Sequence, residues 1–250
     1  MNQPRILNID VETAPNRVYS FGIWNVNIGV NQIEEPGRIL CFAARWVGVG
    51  EEVIFKSEYH DGRLEMLEAL WDLLDEADAV MGWNTQSFDV KWCNAEFLVE
   101  GYLPPTEYKH IDLLRVSRKN FKFPSNKLEY ISKALDIGEK LKHYGFELWR
   151  DVMKGDPKAW SIMKRYNKKD ILLVEEAYDI LKPWINTPTL NFAQFKDVRS
   201  CPRCGCEDLT PEKKPRRTNV NQFKQHRCDR CGYVARERKA DKTVSKPELI

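Results

Sequence analysis

The chain has 250 residues, of which 42% are hydrophobic and 30% are charged. This balance is that of an ordinary soluble protein and excludes a fibrous or wholly disordered chain. No apolar run approaches the roughly 20 residues that cross a bilayer, and the N-terminus lacks a signal-peptide pattern, so we expect a cytoplasmic protein with no membrane partner.

The net charge of +2 is distributed unevenly along the chain. Residues 1–195 carry a net charge of −5, whereas residues 196–250 carry +7. A basic C-terminal segment favours an anionic partner, although a solvated lysine-rich end would show the same charge.

The predicted elements of the N-terminal two thirds alternate between strands and helices. Strands are predicted over residues 5–9, 39–48, 52–59 and 79–84, and helices over 64–76 and 88–101. A long helix is predicted from Pro157, with Asp156 as its N-cap, to about Leu181, where Pro183 stops it. This order, with an early strand hairpin, predicts an α/β fold with a mixed sheet flanked by helices.

The chain is expected to contain four regions. These are a large domain over residues 1–185, a linker over 186–197, a small metal-binding module over 198–236 and a disordered basic tail over 237–250.

Three short motifs place acidic side chains at the ends of predicted elements. Asp10 and Glu12 lie two residues apart at the end of the first strand, so both carboxylates project from one face. Asp89 stands at the start of a helix, where an acid is also favoured by the helix dipole alone. Tyr166 and Asp170 lie four residues apart and share a helical face. Each motif taken alone has an ordinary structural explanation.

Taken together, the motifs Asp-x-Glu, Asn-x-x-x-Phe-Asp and Tyr-x-x-x-Asp resemble those of the DEDD (DnaQ-like) exonucleases of the RNase H-like superfamily. The tyrosine of the third motif resembles the one that defines the DEDDy branch, which includes the proofreading domains of family B DNA polymerases. The resemblance covers residues 4–185 and implies an RNase H-like mixed sheet flanked by helices. A stand-alone enzyme of this size with a metal-binding module also resembles bacteriophage proteins, which would work in a host cytoplasm.

The resemblance implies a set of catalytic residues. Asp10, Glu12, Asp89 and Asp170 would hold two Mg²⁺ or Mn²⁺ ions, and Tyr166 would orient the attacking water. Hard divalent cations prefer carboxylate oxygens, and paired ions suit phosphodiester hydrolysis. The implied activity is a 3′–5′ exonuclease that releases nucleoside monophosphates from single-stranded DNA or frayed 3′ ends. RNA trimming stays open, because the same scaffold supports it.

An unpaired strand end also needs aromatic faces for its bases and cations for its phosphates. The candidates near the motifs are Thr13, Tyr19, Phe21, Trp24, Asn84, Phe88 and Lys168. For the aromatic residues, a role in covering the core is an equal alternative, and a solvated lysine is the commoner outcome for Lys168. We expect His110 to be structural and Asp112 at most to help position the site.

Four cysteines predict a structural zinc site. Cys201, Cys204, Cys228 and Cys231 form two Cys-x-x-Cys-Gly knuckles separated by 23 residues, which is typical of a zinc ribbon with tetrahedral thiolate ligands. Such a site has no open position for water, so the zinc would be structural.

Three further cysteines and one histidine have other expected roles. Cys41 and Cys93 are expected to be small core residues. Cys206 is a spare thiol whose spacing departs from the knuckle, and His226 is a less favoured ligand.

The segment between the knuckles, EKKPRRTNVNQFKQHR, is basic and carries Phe223. It suits a hairpin that contacts phosphates without reading sequence. Docking of a replication or repair protein is the alternative for this module. For the whole chain, the competing class is a nuclease-like adaptor that binds nucleic acid without cleaving it, but the retention of all four acids argues against that class.

Overall fold

The computed structural model describes residues 3–50, 52–185 and 190–243. Part of the predicted linker, residues 186–189, and the end of the predicted tail, residues 244–250, lie outside the described residues.

Two compact units divide the chain. One unit is Arg5–Ala177, and the other joins Met1–Pro4 to Tyr178–Ile250. Among the described residues, no helix is long and apolar enough to span a membrane.

The larger unit is built on a mixed β-sheet. Its strands are β1 (Ile6–Thr13), β2 (Arg17–Val18), β3 (Ile33–Glu35), β4 (Ile39–Trp46), β5 (Ile54–Ser57), β6 (Ala79–Gly82) and β7 (Lys109–Asp112). Five of them form one sheet in the order β5-β4-β1-β6-β7. Strand β1 is antiparallel to β4 and parallel to β6, and β2 pairs separately with β3. The mixed α/β class predicted from the sequence is confirmed.

Helices connect and flank these strands. They are α1 (Arg63–Asp75), α2 (Asp89–Val99), α3 (Leu113–Asn120), α4 (Leu128–Ala134), α5 (Phe146–Met153) and α6 (Pro157–Leu181). The predicted N-cap of the long helix is confirmed, since the Asp156 carboxylate accepts a 2.8 Å hydrogen bond from the Lys158 backbone N–H.

The alternation of side chains along β1 decides which residues reach the core and which reach the candidate site. Leu7, Ile9 and Val11 point to one face and pack in the core that also contains buried side chains of α1 and α2. Asn8 belongs to the other face, where its amide donates a 2.8 Å hydrogen bond to the Ile171 carbonyl of α6. Asp10 shares the parity of Asn8, so the strand directs it towards α6.

The smaller unit contains two short antiparallel sheets. Its strands are β8 (Leu209–Pro211), β9 (Arg216–Arg217), β10 (Gln222–Phe223), β11 (Gln225–Cys228) and β12 (Val234–Arg236). One sheet has the order β12-β11-β8, and β9 pairs with β10 as a hairpin. A C-terminal β module built around a cysteine cluster fits the predicted zinc ribbon.

Candidate active site

The first acid of the candidate site is held by an amide from the long helix. Asn167 is fully buried on α6, and its Nδ2 donates to the Asp10 carboxylate at 2.6 Å and to the Asp10 backbone carbonyl at 3.1 Å. One side chain thereby fixes both the carboxylate and the strand that carries it. The remaining polar atom, Asn167 Oδ1, is buried without a hydrogen-bond partner among the described residues.

The predicted pair on α6 lies at the same place. Tyr166 and Asp170 lie one turn apart on the same face of α6, and Asp170 is 2% exposed. The Lys140 ammonium donates to Asp170 Oδ2 at 2.5 Å and to the Tyr166 hydroxyl at 3.2 Å. Burial lowers the pKa of Lys140, but the nearby Asp170 carboxylate offsets this and leaves the pKa raised.

Asp89 approaches β1 from the start of α2. Its Oδ1 accepts a 2.9 Å hydrogen bond from the Val11 backbone N–H, and the residue is 3% exposed. Burial raises the pKa of Asp89 to about 7, against the opposing effect of that hydrogen bond. The carboxylate is therefore buried beside β1 without an ion-pair partner in the described part of the chain.

The four acids together form a cluster with too little positive charge. Burial raises the pKa of Glu12 to about 8, and the Asp170 charge adds to that effect. The pKa of Asp10 is raised by burial and then by the charges of Glu12, Asp89 and Asp170. Such a site favours protons or cations, because buried carboxylates repel one another unless they are compensated.

Two observations bear on whether the acids fit divalent ions. Asp170 Oδ1 is buried and has no hydrogen-bond partner within the described part of the chain, which leaves a ligand oxygen available. The carboxylate oxygens are nevertheless more widely spaced than the cysteine sulfurs. Among the described residues, only the cysteines bring three or more ligand atoms within 4.8 Å of one another. The donor set fits hard cations, and Lys140 is the positive charge that meets it in this structure.

Two of the four acids, Asp10 and Asp170, open onto a cavity of about 850 Å³. One side carries Asp10, Tyr166 and Asp170, and four cations also line the space: Arg118, Lys127, Lys140 and Lys142. The other lining residues are Trp83, Asn84, Leu114, Pro124, Ser125, Asn126, Leu128, Glu129, Leu141 and His143. A cavity with acids beside cations suits a phosphate ester held near metal ligands.

The loop between β6 and α2 places Asn84 in this cavity. Gly82 is needed there, because a Cβ at that position would lie 2.9 Å from the Ile9 carbonyl oxygen. Asn84 itself adopts a left-handed φ of 71°, and its backbone N–H donates to Asp112 Oδ1 at 3.2 Å. Asp112 also caps α3 through the Arg115 N–H, while no described residue forms a hydrogen bond with its buried Oδ2. Asp112 therefore holds the backbone of a cavity residue in place.

The other predicted strand-binding residues are not among those that line the cavity. Tyr19, Phe21 and Trp24 are exposed after β2, with 68%, 110% and 84% of their surface accessible. Phe88 precedes α2 and is 40% exposed. These side chains are accessible to a ligand, but their role in strand binding stays a prediction.

Thr13 and Lys168 have local partners of their own. Thr13 follows an irregularity in the pairing of β1 with β4 and is half-buried. The Lys168 ammonium pairs with Glu52 at 2.9 Å. His110 is half-buried with an unpartnered Nδ1, beside Tyr108 at 5.3 Å between ring centroids.

Sequence reasoning missed two residues that contact the acids. Lys140 lies in a segment without helical or strand periodicity, and a lysine there carries no signal of its own. Asn167 follows Tyr166 directly and lies one turn before Asp170. An amide so close to both motif residues on the helix was the available clue in the sequence. His143 is a third omission, since its ring packs edge-on against Tyr166 with 5.0 Å between centroids.

The thiolate cluster has the geometry of a tetrahedral metal site. Cys201 Sγ lies 3.7 Å from Cys231 Sγ, and Cys204 Sγ lies 3.6 Å from Cys228 Sγ. A tetrahedron with Zn–S bonds of about 2.3 Å has sulfur–sulfur edges of about 3.8 Å. All four ligand atoms lie within 4.8 Å of one another. The four cysteines selected by their spacing are thus the ones that converge.

The two knuckles have the same backbone hydrogen bonds. Gly205 N–H donates to the Cys201 carbonyl at 2.8 Å, and Gly232 N–H donates to the Cys228 carbonyl at 2.9 Å. Both glycines have positive φ, of 70° and 73°, which explains the glycine after each Cys-x-x-Cys.

The two competing ligands have other partners. Cys206 Sγ lies 3.7 Å from an Asp208 carboxylate oxygen, and His226 Nε2 lies 3.0 Å from Glu237 Oε1. Neither residue belongs to the thiolate cluster.

The fold and the acid cluster define an RNase H-like α/β protein with a polyanionic site next to a cavity. The model of the RNase H superfamily matches residues 8–182, which is most of the chain. The chain therefore belongs to the RNase H superfamily. This membership supports nuclease activity, nucleic-acid binding and the use of divalent metals in general.

The comparison with solved structures agrees in fold. The family B DNA polymerase of the hyperthermophilic archaeon Pyrobaculum calidifontis is similar, with a TM-score of 0.55 and 13% identity. The match covers 73% of this chain and 25% of the polymerase, so the chain spans about a quarter of that protein's length. A search of curated proteins gave no match.

Proposed function

We propose that this chain is a metal-dependent 3′–5′ exonuclease that acts on single-stranded DNA or frayed 3′ ends and releases nucleoside monophosphates. The observation that carries the proposal is the convergence of Asp10, Tyr166 and Asp170 on one side of a cavity that is also lined by cations. The order of the three motifs, and the polymerase-like fold, support the 3′–5′ direction and the preference for DNA.

The metal ligands in this proposal are the four acids. Asp10, Glu12, Asp89 and Asp170 would hold two Mg²⁺ or Mn²⁺ ions. Bound ions of this kind make a water molecule more acidic and offset negative charge on the phosphodiester. The raised pKa values of the acids support the assignment, since they reflect negative charge that lacks compensation.

The side chains of the cavity have distinct tasks in the reaction. Tyr166 presents its hydroxyl next to the acids and would orient the attacking water, while Lys140 anchors that hydroxyl. The water oxygen bonds to phosphorus and the P–O3′ bond breaks, with a proton passing to the leaving O3′. The products are a nucleoside 5′-monophosphate and a strand with a new 3′-hydroxyl.

Binding of the strand end would use the rest of the cavity. Arg118, Lys127 and Lys142 supply positive charge for the phosphates. Asn84 and Asn126 offer amide groups to the terminal nucleotide, and the Trp83 indole fixes this wall by donating to the Asn126 carbonyl at 3.1 Å.

The proposal also covers the division of the chain into domains. We propose a nuclease domain over residues 1–185 and a zinc ribbon over 198–236, with one structural Zn²⁺ held by Cys201, Cys204, Cys228 and Cys231. Location in the cytoplasm, bacteriophage origin and a replication or repair partner stay predictions from the sequence.

The test is hydrolysis of 5′-labelled single-stranded DNA with Mg²⁺ or Mn²⁺. The wild type should give a ladder that shortens from the 3′ end, whereas Asp10→Ala and Asp170→Ala should give none. Glu176→Ala, which removes an exposed acid from the same helix, is the control and should retain activity.

Other outcomes of this test identify other functions. Faster shortening of RNA of the same sequence would make the chain an exoribonuclease. Strand binding without any hydrolysis would make it an adaptor. Hydrolysis that survives both substitutions would refute the assignment of the acids.

A further inference from the structure

The C-terminal unit contains a run of positive charge with no acid in it. Residues 213–228, here called the basic hairpin, contain six lysines and arginines and no aspartate or glutamate. The run starts after β8 and ends with β11, and it includes the β9–β10 pair. A charge density of this kind attracts polyanions.

Most of these cations have no carboxylate partner among the residues that the structure describes. Arg227 pairs with Glu212 at 2.5 Å. In the described part of the chain, no ion pair joins Lys213, Lys214, Arg216 or Arg217 to an acid, and all four are exposed. Their charge is therefore available to a ligand rather than used within the fold.

The backbone of the basic hairpin is fixed before any ligand binds. Arg217 pairs in register with Gln222, and the Arg217 Nε donates to the Gln222 side chain at 2.9 Å. The Gln225 side chain donates to the Lys214 carbonyl at 2.8 Å, and Thr218 N–H closes the turn on the Asn221 carbonyl at 2.8 Å. Preorganised cations lose less conformational entropy on binding than mobile ones do.

The aromatic ring of the basic hairpin is used as an anchor. Phe223 is only 8% exposed and lies under the Arg236 guanidinium, 4.2 Å from the ring centroid. It cannot stack on a nucleobase without leaving that position. The exposed groups of the hairpin are therefore cations and amides, which suit phosphates rather than base faces.

We propose that the basic hairpin binds the sugar–phosphate backbone of a nucleic acid through Lys213, Lys214, Arg216 and Arg217, without stacking on its bases. The identification of that nucleic acid with the strand being cleaved rests on the proposed nuclease function. The hairpin adds affinity and tolerates any sequence, because backbone contacts carry no sequence information.

The experiment measures binding without hydrolysis. Zinc-loaded full-length protein with Asp10→Asn is titrated into fluorescein-labelled oligothymidylate, and anisotropy is recorded over a range of salt concentrations. The test variant changes Lys213, Lys214, Arg216 and Arg217 to Gln. The control variant changes four exposed cations of the larger unit to Gln, namely Lys91, Lys154, Lys158 and Arg165.

Loss of the four hairpin charges should weaken binding by at least about tenfold at low salt. It should also reduce the slope of log affinity against log salt by about 3, since each neutralised phosphate of a single strand contributes roughly 0.7. The control variant should keep the wild-type slope. Arg216→Lys with Arg217→Lys keeps the charge and should keep the slope as well. An abasic strand of the same length should show the same loss.

Two results would overturn the proposal. Equal affinity and slope in the test and control variants, with zinc content unchanged, would mean that the hairpin serves another partner such as an acidic protein. A loss seen with oligothymidylate and not with the abasic strand would mean that the hairpin contacts bases. Failure of the wild type to hydrolyse any strand, with the expected slope change intact, would refute the nuclease and uphold the hairpin.

Discussion

The acid cluster and the thiolate cluster reach their geometry in different ways. The thiolate ligands lie between Cys201 and Cys231, on two knuckles with the same hydrogen bonds. The acids lie between Asp10 and Asp170, on a strand and two helices of the larger unit. The thiolate cluster therefore depends on local turns, whereas the acid cluster depends on the sheet and its packing helices.

The two clusters also differ in chemistry. Four thiolates that complete a tetrahedron around a metal would leave no position for a substrate, which suits a structural role. Asp10 and Asp170 line a cavity, and the ammonium group of Lys140, which pairs with Asp170, is the one cation in an ion pair with the four acids among the described contacts. An open, under-compensated site is the one suited to reaction.

The largest effect is expected in the C-terminal module, whose thiolate cluster depends on local turns. Cys204→Ser with Cys228→Ser should abolish zinc binding and unfold the ribbon, because a structural zinc contributes on the order of 10 kcal/mol to such a fold. Zinc content and proteolysis of the C-terminal unit would report this. Hydrolysis of short strands should persist, and its complete loss would show that the two regions are not separable.

The next largest effect is expected from the loss of one of the acids, and it should be confined to hydrolysis. Asp10→Asn should reduce hydrolysis by at least about a thousandfold, since it removes charge from a proposed metal ligand. The zinc-to-protein ratio should not change. A variant that retains more than a tenth of the wild-type rate would be incompatible with the proposed role.

Asn167→Ala tests how the long helix positions the first acid. Removal of an amide that holds Asp10 at 2.6 Å should reduce activity or Mn²⁺ affinity by about 10- to 100-fold, as for other residues that orient metal ligands. Lys158→Ala, an exposed change at the start of the same helix, is the control. Equal activity of both variants would remove Asn167 from the site.

Lys140→Met should have the opposite effect on metal binding. Loss of a positive charge 2.5 Å from Asp170 should raise the affinity for Mn²⁺ by at least about tenfold, because the ammonium and the ion repel each other. Isothermal titration measures this without any substrate. Lys142→Met should change the affinity less, and an unchanged affinity in Lys140→Met would separate Lys140 from the metal ligands.

The smallest effect concerns the stability of protein that retains zinc but lacks Mg²⁺ and Mn²⁺. Burial raises the pKa of Glu12 to about 8 and that of Asp89 to about 7, whereas unfolded acids titrate near about 4. The folded state then holds more protons, so stability should fall as pH rises from about 4 to about 8.

Thermal unfolding should therefore occur a few degrees lower at about pH 8 than at about pH 6. Glu12→Gln should reduce that difference, and the exposed change Glu68→Gln should not. A melting temperature that rises with pH over this window would contradict the charge assignment.

The sequence was more informative about the thiolate cluster than about the acid cluster. Cysteine spacing alone selected the ligands, because knuckle turns are local and require glycine at a positive φ. The acids were selected by motif order, and the class of fold by alternation of strands and helices. Lys140 was beyond reach, since its contact with Asp170 spans 30 residues and depends on how an irregular segment packs.

The most direct test of the proposed two-metal site is a crystal structure with Mn²⁺, in which the anomalous signal locates the ions. We predict two Mn²⁺ peaks about 4 Å apart among Asp10, Glu12, Asp89 and Asp170, with the Tyr166 hydroxyl beside them. Crystals in which Mn²⁺ binds elsewhere, or in which the acids stay paired with Lys140 at saturating Mn²⁺, would contradict it.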